Sequence, residues 1–412
     1  MHMKINIERL LAEIERYASH GKDPDGGVTR PSFCEKDYEV RQLFVQQLKE
    51  IGLQVHIDPI ANVWGTLAGN GNSDKPIVLG SHLDTVPNGG KYDGALGVLA
   101  AKEIVQTLRE NGRTLNHPLQ IVAFTAEESN EFNFSTMGSR AITGKLSRTD
   151  LSEASNHNGL SLSEAVDRAG GDIDKIEPME RDAIAAFFEL HIEQGKKLER
   201  QNLPLGVVDR IVGIYRDIVT IEGEQNHSGT TMMDERKDAL AAAGEMVASV
   251  QRIAKALNTS AVATVGKFDV SPNAANIIPG RVEFILEVRS ADKEERESLV
   301  ESIQQSFDSI KEVYGVSISS ENIYNTQESK FDEELIGFLK NAAEHLQIPH
   351  TVLPSMAGHD AMHMADLTKT AMLFVRSING ISHNPAELSL PDDIEKSVNV
   401  LLEAIVQADK GI

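Results

Sequence analysis

Long apolar runs are missing from this chain, and cysteine is nearly so. No stretch approaches the roughly 20 consecutive apolar residues that a bilayer-spanning helix needs. The N-terminal MHMKINIERLLAEIERY places Ile7, Leu10, Leu11, Ile14 and Tyr17 on a helical stripe broken by charge, with no apolar leader core and no cleavage signal. A single cysteine, Cys34, excludes an internal disulfide and suits a reducing compartment; ordinary packing is its everyday use. Positive charge is also short: 40 Lys and Arg stand against 62 Asp and Glu, a net charge of −22. Such a surface repels phosphates, which argues against nucleic acid or an anionic membrane as partner. A cytoplasmic protein is the expectation. The chain also lacks a GxxxxGK[ST] loop, an HExxH helix and a CxxC pair.

What is present is an ordinary globular composition, 41% hydrophobic and 25% charged, on 412 residues. That length exceeds one core and predicts two or three domains. Between residues 40 and 125, short apolar runs alternate with helical ones: VRQLFVQQLKEIG as helix, LQVHIDP, NVWGTLAG and PIVLGSHLD as strands, ALGVLAAKEIVQTLRENG as helix, LQIVAFTAEE as strand. Such alternation predicts an α/β unit with a mixed, largely parallel sheet, whose working residues sit past the carboxyl ends of the strands.

Near residue 213 the order changes. IYRDIVTIEGE, the helical DERKDALAAAGEMVASVQRIAKAL, AVATVGKFDV, RVEFILEVRS, the charged helix ADKEERESLVESIQQSFDSIKEVYG and VSISSENI spell β-α-β-β-α-β, the ferredoxin-like order. From residue 330 the helix FDEELIGFLKNAAEHL and the strand TAMLFVRS resume the first pattern. The expectation is a domain of residues 1–212 and 330–412 with residues 213–329 inserted into it.

The chemistry-bearing side chains gather at predicted strand ends. His82 closes PIVLGSH, and Asp84 two residues on can accept its second ring N–H, fixing the tautomer. Asp93 lies among glycines in GGKYDGALG, just before a helix, where N-capping is its commonest use. Glu127 and Glu128 follow IVAFTA; adjacent carboxylates repel unless a cation relieves one and leaves the other to carry protons. His191 alternates with Glu189 and Glu193 on one face of a strand, and His383 sits in a loop after MLFV. Taken singly each has a plain reading: a solvated strand end, a helix cap, surface glutamates, a core histidine, a loop histidine.

Taken together, GSHLDTV, YDGALG, TAEES, ELHIEQG and ISHNPAE, in this order, resemble the M20 family of metallo-amidohydrolases. Within it they are similar to the branch of N-carbamoyl-L-amino-acid hydrolase, allantoate amidohydrolase and β-ureidopropionase, and the likeness runs from GGVTR to ISHNPAE. The resemblance implies a catalytic domain of the zinc-exopeptidase type with a ferredoxin-like lid through which two chains pair as a homodimer. It implies two divalent metal ions per subunit (zinc, manganese, cobalt or nickel), one held by His82, Asp93 and His191, the other by Asp93, Glu128 and His383. Glu127 would be the general base, and His227 in NHSGTT would stabilise the oxyanion, from its own or the partner subunit. Gln194 would bind the carbamoyl group, and Asn276 with Arg289 would grip a substrate carboxylate.

The expected reaction is hydrolysis of an N-carbamoyl-L-amino acid to amino acid, carbon dioxide and ammonia, with allantoate as the alternative ureido substrate. An aminoacylase or dipeptidase, and a metal-free binding protein on the same fold, are further alternatives. TAEES departs from the branch, which often has glycine in place of its serine, and this bears on side-chain preference.

Overall fold

The strands of this chain are short and apolar where they must be buried on both faces, and alternating where one face meets water. A computed structural model, describing residues 3–71 and 73–412, shows where each kind falls. In the first part of the chain the strands are β1 (Gln54–Ile57), β2 (Val63–Leu67), β3 (Ile77–His82), β4 (Leu119–Phe124), β5 (Ala186–Ile192) and β6 (Leu205–Ile211). Next come β7 (Gly213–Glu222), β8 (Asn226–His227), β9 (Val262–Ser271), β10 (Ile277–Ile278), β11 (Arg281–Ser290) and β12 (Ser317–Asn325). The last are β13 (Ser329–Lys330), β14 (His350–Ser355) and β15 (Thr370–Val375).

A nine-stranded sheet has the central run β2-β4-β3-β5-β15-β6. Its middle four strands are parallel: β4 with β3, β3 with β5, β5 with β15. Antiparallel pairs flank them, β2 with β4 on one side and β6 with β15 on the other. IVLGSH, AFFELHI and TAMLFV are buried at every position, as parallel strands covered on both faces must be. The helix Ala95–Glu110, rich in Ala, Leu and Val, packs on this sheet with Ile104, Val105 and Leu108 fully buried. The C-terminal helix Pro391–Gly411 begins with proline at its first turn, where the missing N–H is harmless, and buries Ile394, Val398, Leu401 and Ile405. All four parallel strands point their carboxyl ends the same way, so whatever follows them shares one rim.

Two compact units result, one up to Asp209 and from Lys330 onward, the other Arg210–Ser329. The second holds the antiparallel sheet β12-β7-β11-β9 and the helices Ala239–Leu257 and Lys293–Tyr314. Along β11 the buried Val282, Phe284, Leu286 and Val288 alternate with Glu283, Ile285, Glu287 and Arg289, so the helices cover one face only. The sequence pattern starts the first of these helices at DERKDA; it starts at Ala239, because Asp238 caps it by accepting the N–H groups of Leu240 and Ala241. The ribbon β8–β10, not evident in the sequence, prolongs the β7–β11 pair: Glu222 faces Arg281, then Asn226 faces Ile278 and His227 faces Ile277. No helix of the described residues is long and apolar enough to cross a membrane.

Candidate metal centre

At the common rim, β3 ends in His82, β5 delivers His191, β4 runs out through Thr125 and Ala126 to Glu127 and Glu128, and the loop after β15 carries His383. Asp93 arrives from the turn before the helix Ala95–Glu110. The turn passes hard against His82: Gly94 has φ of 62°, and a Cβ there would stand 2.3 Å from the imidazole. Only glycine meets both demands.

The distances are selective. Asp93 turns Oδ1 toward His191 Nε2 at 3.2 Å and His82 Nε2 at 3.5 Å. It turns Oδ2 toward His383 Nε2 at 3.3 Å, and that nitrogen is 3.2 Å from Glu128 Oε1. Thus His82, Asp93 and His191 form one donor group and Asp93, Glu128 and His383 another, with Asp93 common to both. A third grouping, His82 with Glu127 and Glu128, overlaps them, and Glu127 Oε2 stands 3.7 Å from His82 Nε2.

These residues fit divalent cations on two grounds. Ligand atoms about 2.1 Å from one tetrahedral ion lie roughly 3.4 Å from each other, which is the spacing found here. The imidazoles are also turned correctly. His82 Nδ1 lies 3.0 Å from the main-chain oxygen of Asp84, and His191 Nδ1 lies 3.0 Å from that of Ile192. With Nδ1–H donating to a carbonyl, each Nε2 presents a lone pair toward Asp93, an arrangement that asks for a cation between them.

Electrostatics agree. Burial would raise the Asp93 carboxyl, but His191, His383 and His82 facing it hold it well below the ordinary range. Burial would lower His82, and Glu127, Asp84 and Asp93 push it well above its usual value instead. Hydrogen bonding to Asp93 and Glu128 raises His383 to about 10. The carboxylates demand positive charge, and metal ions meet that demand without protons. Glu127 differs: burial, reinforced by Glu128 and Asp360 against the pull of His82, lifts its carboxyl well above the carboxylate range, the direction that suits a proton carrier.

Asp84 orients His82 as expected in outcome but not in manner. Its main-chain carbonyl takes the imidazole N–H, while its carboxylate accepts Ser32 Oγ–H at 2.7 Å and the N–H of Glu128 at 3.1 Å. One aspartate thereby ties the His82 strand to the glutamate loop. Ala126, Gln194 and His383 adopt left-handed backbone, with φ of 55°, 57° and 54°. Each costs about 1–2 kcal/mol, a strain that clusters where side-chain placement outweighs backbone ease. Gln194 donates its amide to Asp93 Oδ2 at 2.8 Å, and its buried Oε1 has no partner among the described residues.

The matching family model is peptidase family M20/M25/M40, over residues 78–407. The chain belongs to this family. The N-carbamoyl-L-amino acid amidohydrolase of Geobacillus stearothermophilus is 37% identical, over 99% of this chain and 100% of that one. The allantoate amidohydrolase of Bacillus subtilis (strain 168) is 34% identical, over 98% of each. Among solved structures, a hydantoinase/carbamoylase family amidase from Burkholderia multivorans superposes with a TM-score of 0.89 at 33% identity, over 98% of each chain. The M20 protein described here is accordingly an enzyme, a hydrolase of the amidohydrolase kind.

The inserted unit distributes its candidates differently. His227 in the β8–β10 ribbon and Asn276 directly before β10 are exposed neighbours, and Ser228 N–H donates to the Asn276 carbonyl at 3.1 Å. Arg289 lies at the other end of β11, its Nε 2.7 Å from Glu287 Oε1, and the same Glu287 also binds Arg216 on β7. Eight residues of strand, about 27 Å, separate Arg289 from Arg281 before the ribbon begins. Within one chain the expected Asn276–Arg289 pair is therefore not brought together. Sequence reasoning passed over Arg216, Ser382 and Glu387; the last two stand inside the ISHNPAE motif itself.

Proposed function

We propose that this enzyme hydrolyses N-carbamoyl-L-amino acids, releasing the L-amino acid, carbon dioxide and ammonia. The observation that carries the reading is the pair of donor triads sharing Asp93, with Glu127 left over beside them. Zinc, manganese, cobalt or nickel suits imidazole and carboxylate donors. Bound there, two such ions supply an acidified water and a polarised carbonyl.

The side chains do the rest. Glu127 would serve as the general base, taking a proton from the attacking water and returning it to the departing nitrogen, a role its raised carboxyl favours. The unpartnered Oε1 of Gln194 accepts from the carbamoyl NH2, a group that ureido substrates possess and simple acyl amides lack. Arg289 takes the substrate carboxylate through paired N–H donors, exchanging Glu287 for it. His227 donates to the oxyanion and Asn276 supports the carboxylate. Their distance from Arg289 supports a homodimer in which these two come from the partner subunit, the inserted unit serving as dimerising part.

Allantoate, which also offers ureido groups beside a carboxylate, is the second reading, and the relative from Bacillus subtilis favours keeping it. Ammonia release from N-carbamoyl-L-methionine, N-carbamoyl-β-alanine and allantoate, with manganese added to the metal-free enzyme, tests the proposal. Turnover of the N-carbamoyl-L-amino acid is the expected result. Turnover of allantoate alone selects the second reading, and release from none of them rejects both.

A further inference from the structure

The two donor groups are built on unequal supports. His82 and His191 are 1% exposed, sit on central strands, and each has Nδ1 against a main-chain carbonyl. His383 rides a loop, with its side chain 48% exposed. Yet for both donor groups to hold a cation, its Nε2 would have to stay within tenths of an ångström of its place beside the same shared carboxylate. Something must brace that loop against Asp93.

Glu387, four residues beyond His383, reaches back into the turn that carries Asp93 and is only 5% exposed. Its Oε1 accepts the main-chain N–H of Tyr92 at 2.9 Å and of Asp93 at 3.1 Å, partners 295 and 294 residues away. Its Oε2 is 3.0 Å from Ser382 Oγ, which is also 3.0 Å from Asp93 Oδ2. The serine adjacent to His383 thus lies between two carboxylates, one common to both donor groups and one its brace. Space for this has been cleared at Gly90, where a Cβ would stand 2.0 Å from the Glu387 carboxyl carbon. Any other residue at 90 would displace the carboxylate.

We infer that Glu387 is a positioning residue for the cation site of Asp93, Glu128 and His383, clamping the His383 loop to the Asp93 turn through the Tyr92 and Asp93 N–H groups and Ser382. The inference rests on the two-cation reading above. The other site, of His82, Asp93 and His191, has its own anchors and depends on Glu387 far less. Binding of cations to the variants is therefore predicted to split: one site kept, one weakened.

Metal-free protein is titrated with manganese by calorimetry, and ions retained after dialysis are counted by elemental analysis. Wild type is expected to hold two. Glu387→Ala keeps one ion at wild-type affinity and binds the second about 10- to 100-fold more weakly, the usual effect of losing a group that orients a ligand. Glu387→Gln preserves an oxygen for both N–H groups and restores most of the loss. Ser382→Ala, which removes only the hydroxyl link, weakens the same site by about 2- to 10-fold and serves should Glu387→Ala fail to fold. Two ions bound to Glu387→Ala as tightly as to wild type, or a Gln variant as impaired as the Ala variant, would overturn the clamp while leaving the two-cation reading intact. A wild type that binds fewer than two ions would bring down that reading, and the clamp with it.

Discussion

His191 and Arg289 both stand on strands of their respective sheets, yet one is surrounded by what it works with and the other is not. Around His191, ligand atoms from five separate segments meet at 3.2–3.5 Å. Around Arg289 the structure offers Glu287, while His227 and Asn276 lie past the far end of the same strand. Parallel strands bring their carboxyl ends to one rim, so a single chain gathers both donor groups; an antiparallel sheet spreads its side chains along its length, so Arg289 and the His227–Asn276 pair fall at opposite ends of β11.

Glu127→Gln probes the complete half and carries the largest expected effect. Turnover falls about 10²- to 10⁴-fold, while bound metal and melting temperature stay at wild-type values. Turnover persisting with metal in place would remove Glu127 from its role.

The incomplete half is tested by mixing two inactive variants, Glu127→Gln and His227→Ala, in one preparation. If His227 serves the partner's site, mixed dimers contain one intact site, and about a quarter of wild-type activity returns. No recovery in dimers shown to have exchanged subunits would place His227 in its own chain's site.

Arg289→Ala follows, with KM raised about 10- to 100-fold for carboxylate-bearing substrates and metal content unchanged. Arg289→Lys recovers only part of this, because an ammonium lacks the planar fork. An unchanged KM would leave the open face of β11 without a part in recognition.

The smallest effect concerns how the first unit treats a histidine that is no ligand. Burial, with Lys145 and Arg140 nearby, pushes His363 down to about 3. Between that value and the ordinary imidazole value near 6.5, the unfolded chain binds a proton that the folded one refuses. The stabilisation is full above about pH 6.5 and shrinks as the medium is acidified. His363→Gln should lose about 1 kcal/mol less than wild type between pH 7 and 5.5 in urea unfolding. Equal losses would mean that the site is hydrated.

Much of the first unit was legible because its signals are local. Apolar runs such as IVLGSH and TAMLFV announce buried parallel strands, and the residues just beyond such strands are where catalytic groups collect. The same local reading missed whatever depends on register. Nothing in PNAANIIPG or LEVRS reveals that β10 prolongs β7–β11 away from Arg289, because pairing between residues 226 and 278 is a long-range property. An aspartate two residues after His82 suggests a carboxylate partner for the imidazole, whereas the main-chain oxygen of Asp84 is the nearer one and its carboxylate is spent on Ser32 and the glutamate loop. Glu387 stands in ISHNPAE beside its local partner Ser382, but the Tyr92 and Asp93 N–H groups that it accepts are nearly 300 residues away, and only the fold introduces them.

Anomalous diffraction from crystals grown with excess manganese addresses the cage directly. Two peaks about 3.5–4 Å apart are expected, with Asp93 touching both, His82 and His191 on one, and Glu128 and His383 on the other. A single peak, or a pair held without Asp93 between them, would contradict the account.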